Sequence, residues 1–170
     1  GWSLYTDVHG AAHNVLSTVS FVQAHAILKA AWPVLQRSRL LLRYEYGANW
    51  VEDFGRLPAS QRFFAGGDES VRGYGYQKLA PEDADGNVIG GNFLTTFSAE
   101  METPVWGNWG VAVFGDGGGA SDHVAPDLHY GVGAGVRYRS PVGSIRLDLA
   151  HPLDRDESPV RLHFGVRVGL

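Results

Sequence analysis

The chain has 170 residues, a formal net charge of −4 and no cysteine. A chain of this length is expected to form a single domain, and without cysteine it has no disulfide or thiolate chemistry. Charges of both signs are interspersed, which argues against nucleic acid as a partner. Glycine (23 residues) and aromatic residues (12%) are abundant, as they are in the short strands of β-barrels.

Alternation of apolar and polar residues with a period of two predicts a series of β-strands. Eight are expected, over residues 2–10, 19–32, 39–50, 90–103, 109–116, 129–139, 145–149 and 160–170. Short turns are expected over residues 33–38, 104–108 and 140–143, and longer loops over residues 11–18, 51–89, 117–127 and 153–159. No run of about 18 apolar residues indicates a transmembrane helix. No signal peptide precedes the strand-like sequence at Gly1, so we expect a piece of a mature chain.

One face of each predicted strand is apolar, with aromatic residues near the strand ends, and the other face is polar. Trp32, Trp50, Trp109 and Tyr138 are such aromatic residues. Short turns on one side and long loops on the other complete the pattern of an antiparallel transmembrane β-barrel. A soluble β-sandwich or barrel is the alternative. Because backbone groups in lipid must be paired, the eight strands must either close or be completed by strands from outside this sequence.

The connection over residues 51–89 is too long for an ordinary turn and is therefore expected to be functional. It carries aromatic residues, several glycines and Arg72. Inside a barrel, Arg72 would need carboxylates, because an unpaired buried charge is costly. Glu100 and Asp116 face inward on the two strands after the loop and are the expected acceptors. The alternative is a solvated arginine on a surface loop.

Residues 62–76 carry a recognisable motif, with Phe64-Ala65-Gly66-Gly67 followed by Val71-Arg72-Gly73-Tyr74. Together with Gly90-Gly91-Asn92 and Ser98-Ala99-Glu100, this stretch resembles the sixth loop of the BamA/TamA outer-membrane assembly superfamily. The resemblance is closest to the TamA branch (translocation and assembly module subunit). It runs over the whole chain, but covers only the C-terminal half of the family's sixteen-stranded barrel.

The resemblance implies that residues 1–170 are the C-terminal portion of a barrel in the bacterial outer membrane. Its loop, over about residues 51–89, would dock in the lumen through Arg72 on Glu100 and Asp116. The protein would insert or translocate envelope proteins such as autotransporters, without ATP, cofactor or metal. Expected partners are the lipid bilayer, client outer-membrane proteins, and an inner-membrane or periplasmic partner contacted through domains outside this sequence.

The functional alternatives are a two-partner-secretion translocator pore, which shares the loop motif, and a small structural or passive outer-membrane barrel. We do not predict an enzyme. Asp7 with His9 and Asp122 with His123 are candidate pairs, but neither comes with a nucleophile beside an oriented base or a Gly-x-Ser-x-Gly elbow. The histidines show no metal-ligand spacing.

The last predicted strand is expected to lie at a seam of the barrel. In the resembled family, the first and last strands meet weakly there, and the seam is a proposed lateral gate. The resemblance places Phe164, Gly165, Gly169 and Leu170 at this position. Gly165 and Gly169 would weaken strand pairing, since glycine in a strand loses packing and entropy. The alternative is that both are ordinary barrel glycines.

Overall fold

A computed structural model of the chain describes residues 1–12, 19–125, 127–154 and 160–168. They form one antiparallel sheet of eight strands whose spatial order follows the sequence. The strands are β1 (Trp2–Ala11), β2 (Phe21–Pro33), β3 (Arg39–Val51), β4 (Phe93–Trp106), β5 (Trp109–Ser121), β6 (His129–Ser140), β7 (Gly143–Pro152) and β8 (Arg161–Val168). The prediction of an all-β, antiparallel fold is confirmed. No helix within these residues is long and apolar enough to cross a membrane.

The turn predicted over residues 104–108 and the loop predicted over residues 117–127 are shorter than expected, because β4 and β5 extend further toward the C-terminus than predicted. Residues 117–121 were expected to begin a loop, but they belong to β5 and pair with residues 93–97 of β4. Gly117 has no side chain and so leaves room for the ring of Phe97. A Cβ at position 117 would overlap this ring. At the other end β4 continues to Trp106, with an irregular register between Pro104 and Trp106. A proline is tolerated at such an irregularity near a strand end.

The long connection runs between Val51 and Phe93 and contains two short 3-10 turns, Phe54–Arg56 and Ala59–Gln61. β4 starts later than predicted, because Gly91 pairs with Phe63 of the loop instead. The loop also builds a small hydrophobic cluster with two residues of the sheet. Its members are Phe63, Ala65, Val71, Tyr74, Leu79, Leu94 and Ala120. Burial of these apolar groups supplies the non-directional part of the attraction between loop and sheet.

The two faces of the sheet differ as predicted. Large apolar side chains on the outer face are exposed, with Trp32 at 50%, Trp50 at 58% and Val113 at 56% exposure. Such a contiguous exposed apolar surface marks a face that meets lipid or protein. The loop covers the opposite, polar face. Within the described residues β1 pairs only with β2, and β8 only with β7, so the sheet is open at both edges.

Gly47 of β3 lies directly beneath the ring of Phe63, and a Cβ at this position would overlap the ring. Gly115 of β5 is also inside a strand, but a Cβ there would meet nothing within 4 Å. We expect Gly47→Ala to displace Phe63 and to destabilise the folded protein by about 1–3 kcal/mol through overpacking. Gly115→Ala is the matched control. The thermal unfolding midpoints of the two variants of the full-length protein provide the measurement, and equal midpoints would contradict this packing account.

Candidate functional site

The motif Val71-Arg72-Gly73-Tyr74 is buried between the loop and the polar face of the sheet. Val71 is 0%, Arg72 4% and Tyr74 3% exposed. Val71 belongs to the hydrophobic cluster. The hydroxyl of Tyr74 donates to the carbonyl oxygen of Tyr130 (3.2 Å) and to Asp154 (3.0 Å). These contacts place the guanidinium of Arg72 over the middle of the sheet.

Asp116 of β5 makes the most extensive contact with Arg72. The Nε and Nη2 atoms of Arg72 donate to the two carboxylate oxygens at 2.7 and 2.9 Å. The backbone N–H of Arg72 donates to the same carboxylate at 3.1 Å. Ser98 of β4 donates to Asp116 at 2.6 Å and orients it. This two-pronged geometry requires the planar fork of arginine, which lysine cannot reproduce.

The third nitrogen of the guanidinium, Nη1, reaches two further carboxylates. It donates to Glu100 of β4 at 2.7 Å and to Asp148 of β7 at 3.0 Å. The ring of Phe114 lies under the guanidinium, with its centroid 3.4 Å from Cζ, so the cation also has an aromatic partner. The structure therefore brings Arg72 together with Glu100 and Asp116, the two acids singled out in the sequence, and adds Asp148.

A second arginine completes this cluster. Arg137 of β6 is 4% exposed, and its Nη2 donates to Glu100 at 2.6 Å. It also donates to Asp148. Glu100 and Asp148 are thus each shared by Arg72 and Arg137. Positively and negatively charged side chains thus alternate in the cluster, and each buried charge has a partner of opposite sign. A buried charge left without such a partner would cost several kcal/mol.

Arg72 remains charged throughout the accessible pH range. Burial would lower the pKa of Arg72, but the hydrogen bonds and charge of Asp116, followed by those of Glu100, outweigh burial and raise this pKa above its ordinary value. A pKa that is raised in the folded state stabilises the folded protein at pH values below the unfolded-state pKa. This stabilisation is lost only as the pH rises through the folded-state pKa. For arginine both pKa values lie far above neutral pH. Titration of Arg72 therefore contributes no change in loop docking near neutral pH.

Gly73 adopts a φ of +98°, a conformation that glycine reaches at little cost. A Cβ at this position would lie 3.0 Å from the backbone nitrogen of Pro152 and 3.1 Å from the carbonyl carbon of His151. Both the conformation and the space therefore require glycine. The close approach sets the motif against the end of β7.

Two of the four residues predicted to form the C-terminal seam, Phe164 and Gly165, lie in the described part of β8. Phe164 is on the outer face of β8 and is 60% exposed. Gly165 faces inward, beneath the side chain of Arg146. Gly169 and Leu170 lie outside the described residues.

Sequence reasoning did not single out Asp148, Arg137 or His163 as functional residues. All three are buried, and alternation along β6, β7 and β8 already places them on the polar face. The available signal was the presence of charged residues at inward positions of several neighbouring strands. Which inward carboxylate meets Arg72 depends on the strand register and on the path of the loop, and alternation defines neither.

Of the two pairs considered for catalysis, Asp7 and His9 contact each other, whereas Asp122 has a different partner. His9 contacts Asp7 (2.6 Å) through one ring nitrogen and Gln61 (2.9 Å) through the other. Asp122 accepts a hydrogen bond from Asn92 at 3.3 Å. In the part of the chain that the structure describes, no group of three or more His, Asp or Glu residues is placed to hold a metal ion.

An antiparallel meander with an apolar outer face, a polar inner face and a loop docked inside has the architecture of a transmembrane barrel wall. The Omp85 superfamily domain matches residues 1–170. The chain belongs to the Omp85 superfamily, and this places it in the outer membrane.

Two relatives match at similar levels. The outer membrane protein assembly factor BamA of Nitratidesulfovibrio vulgaris is 33% identical over 108 residues, which cover 59% of this chain and 14% of the relative. The chloroplastic outer envelope protein 80 of Arabidopsis thaliana is 32% identical over 124 residues, which cover 66% of this chain and 15% of the relative. The chain thus spans only about a seventh of the length of these relatives.

Among solved structures, the crystal structure of BamA from Haemophilus ducreyi lacking POTRA domains 1–3 has a similar fold. The TM-score is 0.75 at 18% sequence identity, and the match covers 98% of this chain and 37% of that chain. At this identity the likeness shows the fold alone.

We expect Arg72→Lys to weaken docking of the loop. Lysine keeps the charge but loses the paired bonds to Asp116 and the reach to a second acid, at a cost of about 1.5–3 kcal/mol per lost charged hydrogen bond. Amide hydrogen exchange over residues 66–79 of the full-length protein measures the effect. Arg62→Lys is a matched control, because Arg62 donates to loop carbonyls, Leu57 at 2.9 Å and Ile89 at 3.0 Å, and to no acid.

A double-mutant cycle separates direct pairing from general damage. If Arg72 and Asp116 act as a pair, the destabilisation by Arg72→Gln with Asp116→Asn should be well below the sum of the single effects. A simple charge swap is less informative, because Glu100 and Asp148 would still face the new carboxylate at position 72. Additive losses would show that the two residues act independently.

Proposed function

We propose that the chain is the C-terminal part of the barrel of an outer-membrane assembly or translocation factor of the BamA/TamA type, closest to the TamA branch. In this proposal the protein inserts or secretes envelope proteins such as autotransporters, without ATP, cofactor or covalent chemistry. Its surroundings are the lipid bilayer, its client proteins, and an inner-membrane or periplasmic partner reached through the remainder of the protein. Membership of the Omp85 superfamily supports this class of function.

One observation carries the proposal. Arg72 is almost fully buried and bonds to carboxylates on three strands, β4, β5 and β7. A passive pore gains little from a large loop that fills its interior and is fixed by buried charges. For an assembly factor the same loop has a use, because it supports one wall from inside while the neighbouring edge of the sheet is free to open.

The proposed mechanism requires the edge of the sheet at β8 to open. An exposed edge strand presents unpaired backbone N–H and C=O groups, to which an extended client segment can add as a new strand. The docked loop would hold β4 to β7 in register while this happens. In the proposal Phe164, Gly165, Gly169 and Leu170 belong to the edge that opens, and the Arg72 cluster belongs to the part that stays fixed.

The test uses the full-length protein, reconstituted in lipid vesicles, and the insertion rate of a model outer-membrane β-barrel protein. We expect Arg72→Lys to lower this rate by roughly tenfold, which corresponds to about 1.4 kcal/mol. Arg56→Lys is the matched control, since Arg56 is exposed in the same loop. An unchanged rate in an Arg72→Lys protein whose loop has been shown to exchange faster would overturn the proposal.

The same variants distinguish the branches of the family. Loss of autotransporter secretion with normal assembly of other outer-membrane proteins is expected for the TamA type. A general assembly defect would indicate the BamA type. A two-partner-secretion translocator predicts a large single-channel conductance in planar bilayers and the export of one soluble client, and a passive barrel predicts no defect beyond lowered stability.

A further inference from the structure

β8 is the edge strand of the described sheet and pairs only with β7. Its inward residue His163 is 8% exposed and contacts the loop with both ring nitrogens. Nε2 accepts a hydrogen bond from the backbone N–H of Gly73 at 3.0 Å, and Nδ1 contacts the carboxylate of Asp68. Because Nε2 acts as an acceptor, the ring proton lies on Nδ1 and is donated to Asp68.

The neighbouring strand makes a second connection to the same loop segment. The Nη2 atom of Arg146, on β7, donates to the carbonyl oxygen of Asp68 at 3.2 Å and to Glu69 at 2.8 Å. To reach the loop, the side chain of Arg146 passes over Gly165 of β8, where a Cβ would overlap it. The bare backbone of Gly165 thus provides the passage that this contact needs.

Residues 68–73 are therefore held at two places. Arg72 is fixed by carboxylates on β4, β5 and β7. Asp68 and Gly73, on either side of it, are fixed by His163 of β8. We propose that His163 and Arg146 are positioning residues that couple the pairing of β8 to the docking of the loop, so that loosening either the last strand or residues 68–73 also loosens the other. This coupling does not depend on the proposed function.

The opposite edge provides an internal comparison. β1 also contacts the loop through a histidine, because His9 lies 2.9 Å from the side-chain oxygen of Gln61. His9 is exposed, and the carbonyl oxygen of Gln61 is held independently of Arg72 by Gln23 and Asn49. Undocking of the Arg72 segment should therefore leave β1 unaffected.

The test measures amide hydrogen exchange by mass spectrometry on the full-length protein in lipid nanodiscs. In Arg72→Lys, we expect exchange to accelerate by about tenfold both in residues 68–73 and in β8 residues 162–166, with no change in β1. In His163→Leu, β8 should exchange faster and should respond little to a further Arg72→Lys. His151→Leu is the control, since His151 is exposed on β7.

Gly165→Ala tests the coupling from the strand side without removing a polar group. Alanine suits a strand interior better than glycine. If residue 165 affected only its own strand, Gly165→Ala would therefore slow amide exchange in β8. If Arg146 is displaced from the loop, exchange should instead accelerate in β8 and in residues 68–73. The coupling is overturned if the loop of Arg72→Lys exchanges faster while β8 does not. It is also overturned if neither His163→Leu nor Gly165→Ala accelerates exchange in residues 68–73.

Discussion

The structure depends on one buried cation. Arg72 comes from a loop, and the acids it meets, Glu100, Asp116 and Asp148, come from three different strands. Each of these carboxylates faces the polar side of the sheet, where removal from water must be compensated by a partner of opposite charge. The loop therefore supplies the charge that makes the acidic wall stable, and the wall supplies the acceptors that keep the loop in place. Each arrangement therefore stabilises the other.

The charges around this centre extend toward the end of the sheet with the short turns. Arg137 joins Glu100 and Asp148 to Glu102, and Glu102 also binds Arg39 and Arg139. The continuous cluster contains the four arginines 39, 72, 137 and 139 and the four acids 100, 102, 116 and 148, so its formal charges cancel. Removing Arg72 leaves an excess carboxylate in the most buried part of the cluster. This charge balance explains why the motif needs a cation at this position, and the paired bonds to Asp116 explain why the cation is an arginine.

The sequence predicts the fold well because one physical pattern repeats along it. A period of two, with an apolar face toward lipid and a polar face inward, identifies all the strands and places residues such as Arg137, Asp148 and His163 on the inner side. It misjudges the limits of strands at glycine and proline, as at Gly117 and Pro104, because composition suggests a turn where register and packing extend the strand. The contacts of the loop could be predicted only in part. Glu100 and Asp116 follow from their nearness in sequence to the loop, whereas Asp148 lies 76 residues beyond Arg72 and meets it only once the sheet has formed.

The loop spans the sheet and joins strands that are far apart in it. Gln61 contacts β1, β2 and β3 through His9, Gln23 and Asn49, the Arg72 segment contacts β4, β5 and β7, and Tyr74 reaches β6. These contacts are discrete hydrogen bonds and ion pairs, which have a defined geometry and cannot slide gradually. The segment around Arg72 is therefore expected to be either docked or released, while Gln61 is held separately by Gln23 and Asn49. A wall braced from inside in this way can keep its middle strands in register while an edge strand exchanges partners, since the ion pairs of Arg72 are made to β4, β5 and β7 and to neither edge strand.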